Sequence, residues 1–473
     1  MSFTDADFKK RVLLPALILA LGLIPAGQAM AQTFKMLHFF SYDNGGNDPE
    51  GGLVIAGNNL FGTAAEGGSQ SVGTLFEIPT DGTSYTLLHT FTNSPDGSTP
   101  DAGLILSGNT LYGTTVQGGI FGNGTIFTIN TNGQDFTNLY SFTSSPFPGT
   151  NSDGANPHAS LILSGNILYG TASDGGRWGR GTVFAIHTDG SAFTNLHSFT
   201  AVSNNLATGY FSNNDGMFPS GALLLSGNTL FGTAPGGGSE NLGTVFALNT
   251  DGSGFRILHS FTNNFDGSAP GAGLILSGNT LFGTDEEGGT NDLGAIFAVT
   301  TNGMQFTALH NFTGSDGGQP NDGLIMSGNI LYGTTYEGGS GFDGTAFAVN
   351  TDGSGFTNLH NFSGSDGSHP TAGLILSGNT LYGTATQGVD QGNGDVFSIT
   401  LPPAPPLLII TRLDTNVVLR WPTNAQGFIL EFATNLVSPV VWNTNLPPPI
   451  IVNTNYAVTT AISSVQKFYR LAR

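Results

Sequence analysis

The chain has 473 residues, of which 9% are charged, 38% are hydrophobic, 71 are glycine and none is cysteine. Such a composition excludes a coiled coil, a helical bundle and a highly charged disordered chain, and the lack of cysteine excludes disulfides, thiolate metal sites and a cysteine nucleophile. The formal net charge of −20 excludes nucleic acid as a partner of the main body, because an acidic surface repels phosphates.

Residues 1–31 have the pattern of an export signal peptide. Residues 9–11 are Lys-Lys-Arg, residues 12–24 are mostly apolar, and Ala29-Met30-Ala31 has the small-x-small form that precedes cleavage. We therefore expect a mature chain that starts near Gln32 and is secreted, periplasmic or attached to the cell surface. A single N-terminal membrane anchor is the alternative for the same stretch, and no later segment is long and apolar enough to span a bilayer.

A seven-fold repeat follows the signal. The tripeptide Tyr/Phe-Gly-Thr recurs with its glycine at positions 62, 113, 170, 232, 283, 333 and 383, close to every fifty residues. One unit contains apolar segments at 272–276, 280–284, 294–299 and 306–312, joined by Ser-Gly-Asn, a Gly-Gly loop and Thr-Asn-Gly. These turns are typical of tight hairpins, so each unit is predicted to be four short antiparallel strands with both faces covered.

Seven such units over residues 32–400 predict an all-β, seven-bladed β-propeller. The seventh unit ends before a fourth strand, whereas residues 34–40 supply a matching strand ahead of the first unit. We expect this N-terminal strand to complete the last blade and close the ring, because closure removes two exposed sheet edges. An open β-solenoid is the alternative.

The repeat motif also resembles a known family. The segment Gly-Asn-x-Leu-Tyr/Phe-Gly-Thr, followed by a Gly-Gly loop and Gly-Thr-x-Phe, as at 108–114 with 124–127, is similar to the GloVer repeat of exported "choice-of-anchor" proteins over residues 34–400. The resemblance implies an exported bacterial β-propeller-like protein with a variable C-terminal sorting module, and it implies no activity and no catalytic residue. The C-terminus differs from several such anchors because it lacks their hydrophobic helix and basic tail.

A proline-rich linker at 401–406 separates the repeats from residues 407–473. Five or six short apolar segments in this last part predict a small β-sandwich, and Leu-x-Trp-Pro with Phe-x-Leu-Glu-Phe is similar to a fibronectin type III module. Trp421 and Trp442 are expected in its core. Residues 32–401 hold four basic and 28 acidic residues, whereas 402–473 hold five and two, so two bodies of opposite charge are predicted, the second serving attachment or sorting.

Two polar series recur in register with the repeats. The histidines of the fourth strands are His38, His89, His197, His259, His310 and His360, with Tyr140 in the remaining unit. The aspartates of the Asp-Gly pairs are Asp96, Asp153, Asp215, Asp266, Asp316 and Asp366, with Gly45 in the first unit. One residue per blade lies too far from the next to share an ion, so we predict structural hydrogen bonds, turn capping and no metal site or cofactor. Calcium at the aspartates is the open alternative.

No catalytic residue is predicted. Carboxylates beside the Gly-Gly loops, Glu66, Asp174, Glu287 and Glu337, are replaced by Gln or Gly in the other units, and neither Gly-x-Ser-x-Gly nor His-Glu-x-x-His occurs. We therefore expect a non-catalytic binding protein. The alternatives are a hydrolase or lyase of polysaccharide on the same scaffold, and a structural component of the envelope or matrix.

The departures from the repeat point to a binding site. Extra residues lie between units at 143–159 and 200–220, and up-and-down strands place these insertions on the same face as the Gly-Gly loops. Aromatic rings and guanidinium groups there would form a platform for a glycan or a protein ligand. The predicted ligand-binding residues are Arg177, Trp178, Arg180, Tyr210 and Phe211. The alternative is that the aromatic side chains of the insertion fold down and cover the platform.

Overall fold

The computed structural model describes residues 32–41, 45–146, 149–204, 211–262, 266–388, 392–402, 408–423, 428–435, 440–462 and 467–472. These residues form two compact units, one within 32–402 and one within 408–472. All of their regular structure is β-strand, which confirms an all-β chain, and no membrane-crossing helix is found among them. The predicted signal peptide at 1–31 lies outside the described residues.

The described part of the first unit holds seven four-stranded antiparallel sheets and one two-stranded ribbon. One strand, β1 (Thr33–Phe39), precedes the repeats. Sheet 1 is β2 (Val54–Ala56), β3 (Asn59–Ala64), β4 (Thr74–Pro79) and β5 (Thr86–Thr90); sheet 2 is β6 (Ile105–Ser107), β7 (Thr110–Thr115), β8 (Thr125–Asn130) and β9 (Thr137–Ser141); sheet 3 is β10 (Ile162–Ser164), β11 (Ile167–Ala172), β12 (Thr182–His187) and β13 (Thr194–Ser198). The ribbon is β14 (Ser203–Asn204) with β15 (Phe211–Ser212).

The later repeats form the other four sheets of this unit. Sheet 4 is β16 (Leu224–Ser226), β17 (Thr229–Ala234), β18 (Thr244–Asn249) and β19 (Arg256–Ser260); sheet 5 is β20 (Ile275–Ser277), β21 (Thr280–Asp285), β22 (Ala295–Thr300) and β23 (Phe306–Asn311); sheet 6 is β24 (Ile325–Ser327), β25 (Ile330–Thr335), β26 (Thr345–Asn350) and β27 (Thr357–Asn361); sheet 7 is β28 (Ile375–Ser377), β29 (Thr380–Ala385) and β30 (Asp395–Thr400) together with β1. Each sheet is ordered so that consecutive strands are neighbours.

Sheet 7 differs from the others because its fourth strand comes from the start of the chain. Strand β1 runs antiparallel to β30, with Thr33 opposite Thr400 and Phe39 opposite Asp395. In the other six sheets the fourth strand follows directly after the third. The N-terminal strand therefore occupies the position that β5, β9 and their equivalents fill elsewhere.

The core lies between neighbouring sheets. Seven clusters of buried apolar side chains each combine residues from two sheets that follow each other along the chain, or from sheets 7 and 1. In the cluster between sheets 7 and 1, Tyr382 and Val396 pack with Leu53 and Leu60. Burial of both faces explains why the strands are almost continuously apolar.

The Tyr/Phe-Gly-Thr motif has a packing role in these sheets. A Cβ on Gly283 would lie 2.5 Å from Cζ of Phe297 and 2.8 Å from Cδ2 of Leu274, and the motif glycines of the other six sheets face an equivalent Phe and Leu at similar distances. Only hydrogen fits at this position beneath the phenylalanine ring. The repeated glycine is thus required by the core.

Two classes of loop meet at one edge of the sheets. The loop that precedes each first strand pairs with the loop between the second and third strands, as in the bridges Ser98 to Gln117, Ala155 to Asp174 and Met217 to Gly236. The insertions and the Gly-Gly loops consequently share one face, which we call the loop face.

The second unit has two sheets in its described residues. Strands β31 (Ile409–Leu413), β32 (Asn416–Pro422), β35 (Asn455–Ala461) and β34 (Ile450–Val452) form one sheet in that order, and β33 (Ile429–Ala433) pairs with β36 (Phe468–Ala472). Leu419, Trp421, Leu430 and Val458 form its core. Trp442 is half-buried instead, with the guanidinium of Arg470 4.1 Å from its ring centre.

Candidate functional site

The loop between β11 and β12 carries the exposed aromatic residue predicted for the binding platform. Gly175 and Gly176 both have positive φ, 68° and 74°, which side-chain-bearing residues rarely adopt. The amide of Gly176 donates to Oδ1 of Asn151 at 2.7 Å, and the amide of Gly181 donates to the carbonyl of Gly175 at 3.2 Å. These bonds fix the backbone and leave the tip of the loop facing solvent.

Arg177 and Trp178 form a cation–π pair at this tip. The guanidinium carbon of Arg177 lies 4.9 Å from the centre of the Trp178 ring, and the Trp178 side chain is 44% exposed. A stacked guanidinium orders the indole and keeps a positive charge at its surface. The structure therefore brings two of the predicted site residues together.

Arg180 is directed elsewhere. It is half-buried, and its guanidinium carbon lies 5.4 Å from the ring centre of Phe218, whose amide donates to the Arg180 carbonyl at 3.0 Å. Phe218, at the end of the insertion, thus packs on Arg180, while Trp178 remains exposed. Tyr210 lies outside the described residues, and of Phe211 only the backbone in β15 is described.

Sequence reasoning missed two exposed apolar residues on the neighbouring loop. Ile120 and Phe121, between β7 and β8, are 66% and 50% exposed. They occupy the loop positions of Arg177 and Trp178, and the amides of Ile120 and Arg177 each donate to a serine hydroxyl at 3.4 Å, Ser141 and Ser198 respectively. Alignment of the loops on their Gly-Gly pairs gives this equivalence from the sequence, but only the fold shows that both residues are exposed. We call Ile120, Phe121, Arg177 and Trp178 the rim.

A groove of about 860 Å³ lies beside the insertion, between sheets 3 and 4. Its lining includes His197 and Asp215 on one side and Glu240, Phe255 and Arg256 on the other. Glu240 stands at the loop position that Trp178 occupies in sheet 3. Sheets 3 and 4 and the insertion between them therefore form this groove.

Five of the six repeated histidines face the aspartate of the following turn, whereas the prediction of a structural hydrogen bond is wrong for His38, whose Nε2 has no partner among the described residues. Nε2 of His89, His197, His259, His310 and His360 lies 3.0–3.2 Å from Oδ2 of the aspartate in the following turn, and Tyr140 donates to Asp153 at 2.8 Å. The aspartates also cap the turn backbone, as where Asp96 accepts the amide of Thr92. Burial lowers the pKa of His89, His259, His310 and His360.

The remaining polar series does not assemble into a metal centre in the described residues. No group of three His, Asp or Glu side chains there could hold an ion. Glu66, Asp174, Glu287 and Glu337 are exposed, and each extends from a different sheet. They contribute negative charge to the loop face.

Comparison with known proteins finds one family and several distant folds. A model of the Gloeobacter/Verrucomicrobia repeat matches residues 25–210 and 206–397. An oligogalacturonate lyase from Vibrio parahaemolyticus is 9% identical, with 78% of this chain and 97% of that chain covered and a TM-score of 0.47. A GH74 xyloglucanase from Xanthomonas campestris is 11% identical, with 83% and 59% covered and a TM-score of 0.46. No curated protein matches the chain.

Proposed function

The chain belongs to the Gloeobacter/Verrucomicrobia repeat family, and on that premise we propose that its repeat region is a seven-bladed β-propeller whose ring is closed by β1. Support comes from the pairing of β1 with β30 and from the apolar cluster that joins sheets 7 and 1. An open solenoid would leave those two sheets without a shared core. The second unit, with two sheets around one core, serves in this proposal as a fibronectin-III-like attachment module.

The function that this geometry supports best is binding of a glycan at the rim by an exported, non-catalytic protein. The observation that carries it is the exposed Trp178 ring with Arg177 stacked on it, together with the exposed Phe121 at the same loop position of the adjoining sheet. Aromatic faces stack on the C–H faces of sugar rings, and rigid loops hold them at little entropic cost. The export signal rests on the basic, apolar and small-residue pattern of residues 1–31.

A neutral chain of sugars suits this face better than an anionic one. The repeats hold 28 acidic and four basic residues, so an anionic polysaccharide would be repelled from most of the surface. Rings at equivalent positions of sheets 2 and 3, with the groove beyond them, favour an extended oligomer over a single sugar. A protein ligand is the other outcome of the test.

Glycan-array binding followed by titration of any hit tests the proposal. Trp178→Ala and Phe121→Ala should each weaken binding by about tenfold or more, because each removes one stacking face. Phe342→Ala is the matched control, since Phe342 is 76% exposed on the equivalent loop of sheet 6. Unchanged affinity in both rim variants would contradict the proposal. Release of sugar products during the assay would replace it with a hydrolase or lyase.

A further inference from the structure

The larger sheet of the second unit has a row of side chains that crosses all four of its strands. Strand pairing places Arg420 opposite both Ile409 and Ala457, and Ala457 opposite Ile450. Directly opposite residues point to the same side of a sheet, so the four side chains lie on one face. The row is about 14 Å long, because neighbouring strands lie about 4.8 Å apart.

This face is turned away from the core of the unit. Leu419 and Trp421, on either side of Arg420 in β32, are core residues, and successive side chains of a strand point to opposite faces. Ile409 and Ile450, at the two ends of the row, are 48% and 62% exposed. Large apolar side chains therefore face solvent on both edge strands of the sheet.

The exposed apolar surface continues along the two edge strands. Leu413 in β31 and Val452 in β34 lie an even number of positions from the isoleucine of the same strand, and they are 57% and 40% exposed. We call Ile409, Leu413, Arg420, Ile450 and Val452 the outer patch. A group of exposed apolar side chains on one face marks a surface for interaction.

The outer patch has one charge, and that charge is positive. Arg420 is exposed and takes part in none of the ion pairs of the described residues. The two carboxylates of this unit lie elsewhere, because Glu431 pairs with Arg470 on the other sheet at 2.8 Å and Asp414 lies in the turn between β31 and β32. An occupant of the patch must therefore supply the anion for Arg420.

This requirement disfavours a second copy of the chain. Two outer patches packed on each other would bury two Arg420 guanidinium groups, and neither patch has a carboxylate to pair with them. The surface of a bilayer with anionic lipid offers apolar chains and phosphates side by side. Branched apolar side chains enter such a surface while an arginine extends to the phosphates.

We propose that the outer patch docks the second unit onto a membrane surface that contains anionic lipid. The inference rests on the attachment role proposed for this unit and specifies its partner. Residues 402–473 hold five basic and two acidic residues, so the unit is attracted to such a surface although the repeats are acidic. Salt screens charges beyond about 8 Å at physiological ionic strength, so the charge at the patch has the larger effect.

Vesicle flotation of the mature chain, residues 32–473, tests the inference without the apolar segment at 12–24. Vesicles of phosphatidylcholine alone are compared with vesicles that also contain phosphatidylglycerol, and we expect tighter binding to the second kind, weakened by added salt. Ile409→Thr with Ile450→Thr should weaken this binding by about tenfold or more, because threonine suits a strand but removes apolar area. Arg420→Gln should weaken it by about fivefold.

Two matched variants should bind as the parent chain does. Ile429→Thr changes an isoleucine that is 58% exposed on the other sheet. Arg412→Gln removes an exposed arginine of β31 that lies an odd number of positions from Ile409 and so points to the opposite side. Losses equal to those of the patch variants would show that the outer patch is not the docking surface.

Absence of binding to the anionic vesicles, or full binding by folded patch variants, would overturn the inference. A dimer in light scattering that the isoleucine variant abolishes would assign the face to a second copy instead. Circular dichroism establishes folding, and Arg420→Gln decides the outcome if the isoleucine variant does not fold. Binding to isolated cell envelopes without vesicle binding would leave the attachment role standing and remove only the lipid. Trp178→Ala should leave vesicle binding unchanged, so the rim is tested separately.

Discussion

Nε2 of His197 lies 3.1 Å from Oδ2 of Asp215, although 18 positions of sequence separate the two residues. In sheets 1, 4, 5 and 6 the same pair is separated by only six or seven positions. The insertion between sheets 3 and 4 therefore starts and ends at a contact that recurs in the other repeats. A loop tied at both ends in this way can change in length and composition without disturbing the sheets.

The first prediction concerns the histidine of this contact. His310 lies 3.0 Å from Asp316 and stacks on Phe356 with ring centres 3.8 Å apart. His310→Ala should lower the free energy of unfolding by about 1–3 kcal/mol, because it leaves the half-buried aspartate without this partner. His310→Tyr should recover most of that loss, since Tyr140 makes the equivalent contact in sheet 2. Thermal unfolding of the three proteins measures both effects.

The same pair of variants gives a pH test. The pKa of His310 is lowered, mainly by burial, so the fold favours the neutral imidazole. The free energy of unfolding that neutral His310 contributes is complete above the unfolded-state pKa of 6.5. It is lost as the pH falls from 6.5 to the lower folded-state pKa. His310→Tyr should therefore lose less stability on acidification than the parent chain. A larger loss in the tyrosine variant would contradict this account.

The second prediction concerns a buried acid. Asp395 is fully buried at the start of β30, neither carboxyl oxygen has a partner among the described residues, and burial raises its pKa to about 8. Five other sheets have threonine at this position, as where Oγ1 of Thr182 donates to the carbonyl of Asp153 at 3.0 Å. Asp395→Thr should raise the unfolding free energy at pH 8 by about 1–3 kcal/mol.

The direction of its pH dependence follows from the raised pKa. The fold favours the protonated carboxyl of Asp395. The free energy of unfolding that this protonated group contributes is complete below the unfolded-state pKa of 3.8 and is lost as the pH rises through the folded-state pKa of about 8. The gain from Asp395→Thr should thus be larger at pH 8 than at acidic pH in calorimetry. The reverse variant Thr345→Asp, at the equivalent position of sheet 6, should destabilise with the same pH dependence. A gain independent of pH would show that the carboxyl is not the cause.

The third prediction concerns the repeated glycine. A Cβ on Gly283 would lie 2.5 Å from Cζ of Phe297, so Gly283→Ala should cost about 1–3 kcal/mol of stability through overpacking. Phe297→Leu in the same chain should relieve part of this cost. Gly52→Ala is the control, because a Cβ there meets nothing within 4 Å. Equal melting temperatures for the two glycine variants would disprove the packing role.

The repeat could be predicted from the chain because each unit contains its own turn signals and apolar strands. The Ser-Gly-Asn hairpins and the Gly-Thr-x-Phe strands fall in the structure where their local pattern places them. The sequence also predicted structural roles for the histidine and aspartate series, but it did not predict that the two series pair with each other. Their pairing depends on how each turn folds back over the fourth strand, and the 18-residue separation of His197 and Asp215 hides it.

The candidate sites were predicted less completely. Arg177, Trp178 and Arg180 were predicted for one binding platform, which stays a prediction. The contacts of Arg177 with Trp178 and of Arg180 with Phe218 were visible only in the structure. Ile120 and Phe121 were missed because exposed apolar residues in a loop cannot be told from buried ones without the fold.

The sequence by itself determined the all-β class, the repeat and the family, since these follow from short-range patterns of turns and strands repeated many times. Tertiary structure decided which side chains remain exposed and which residues from distant repeats line one cavity. The physical reason is that burial and mutual repulsion of charges depend on contacts between sheets. Glu50 and Tyr336 line one cavity although most of the repeat region lies between them in the chain.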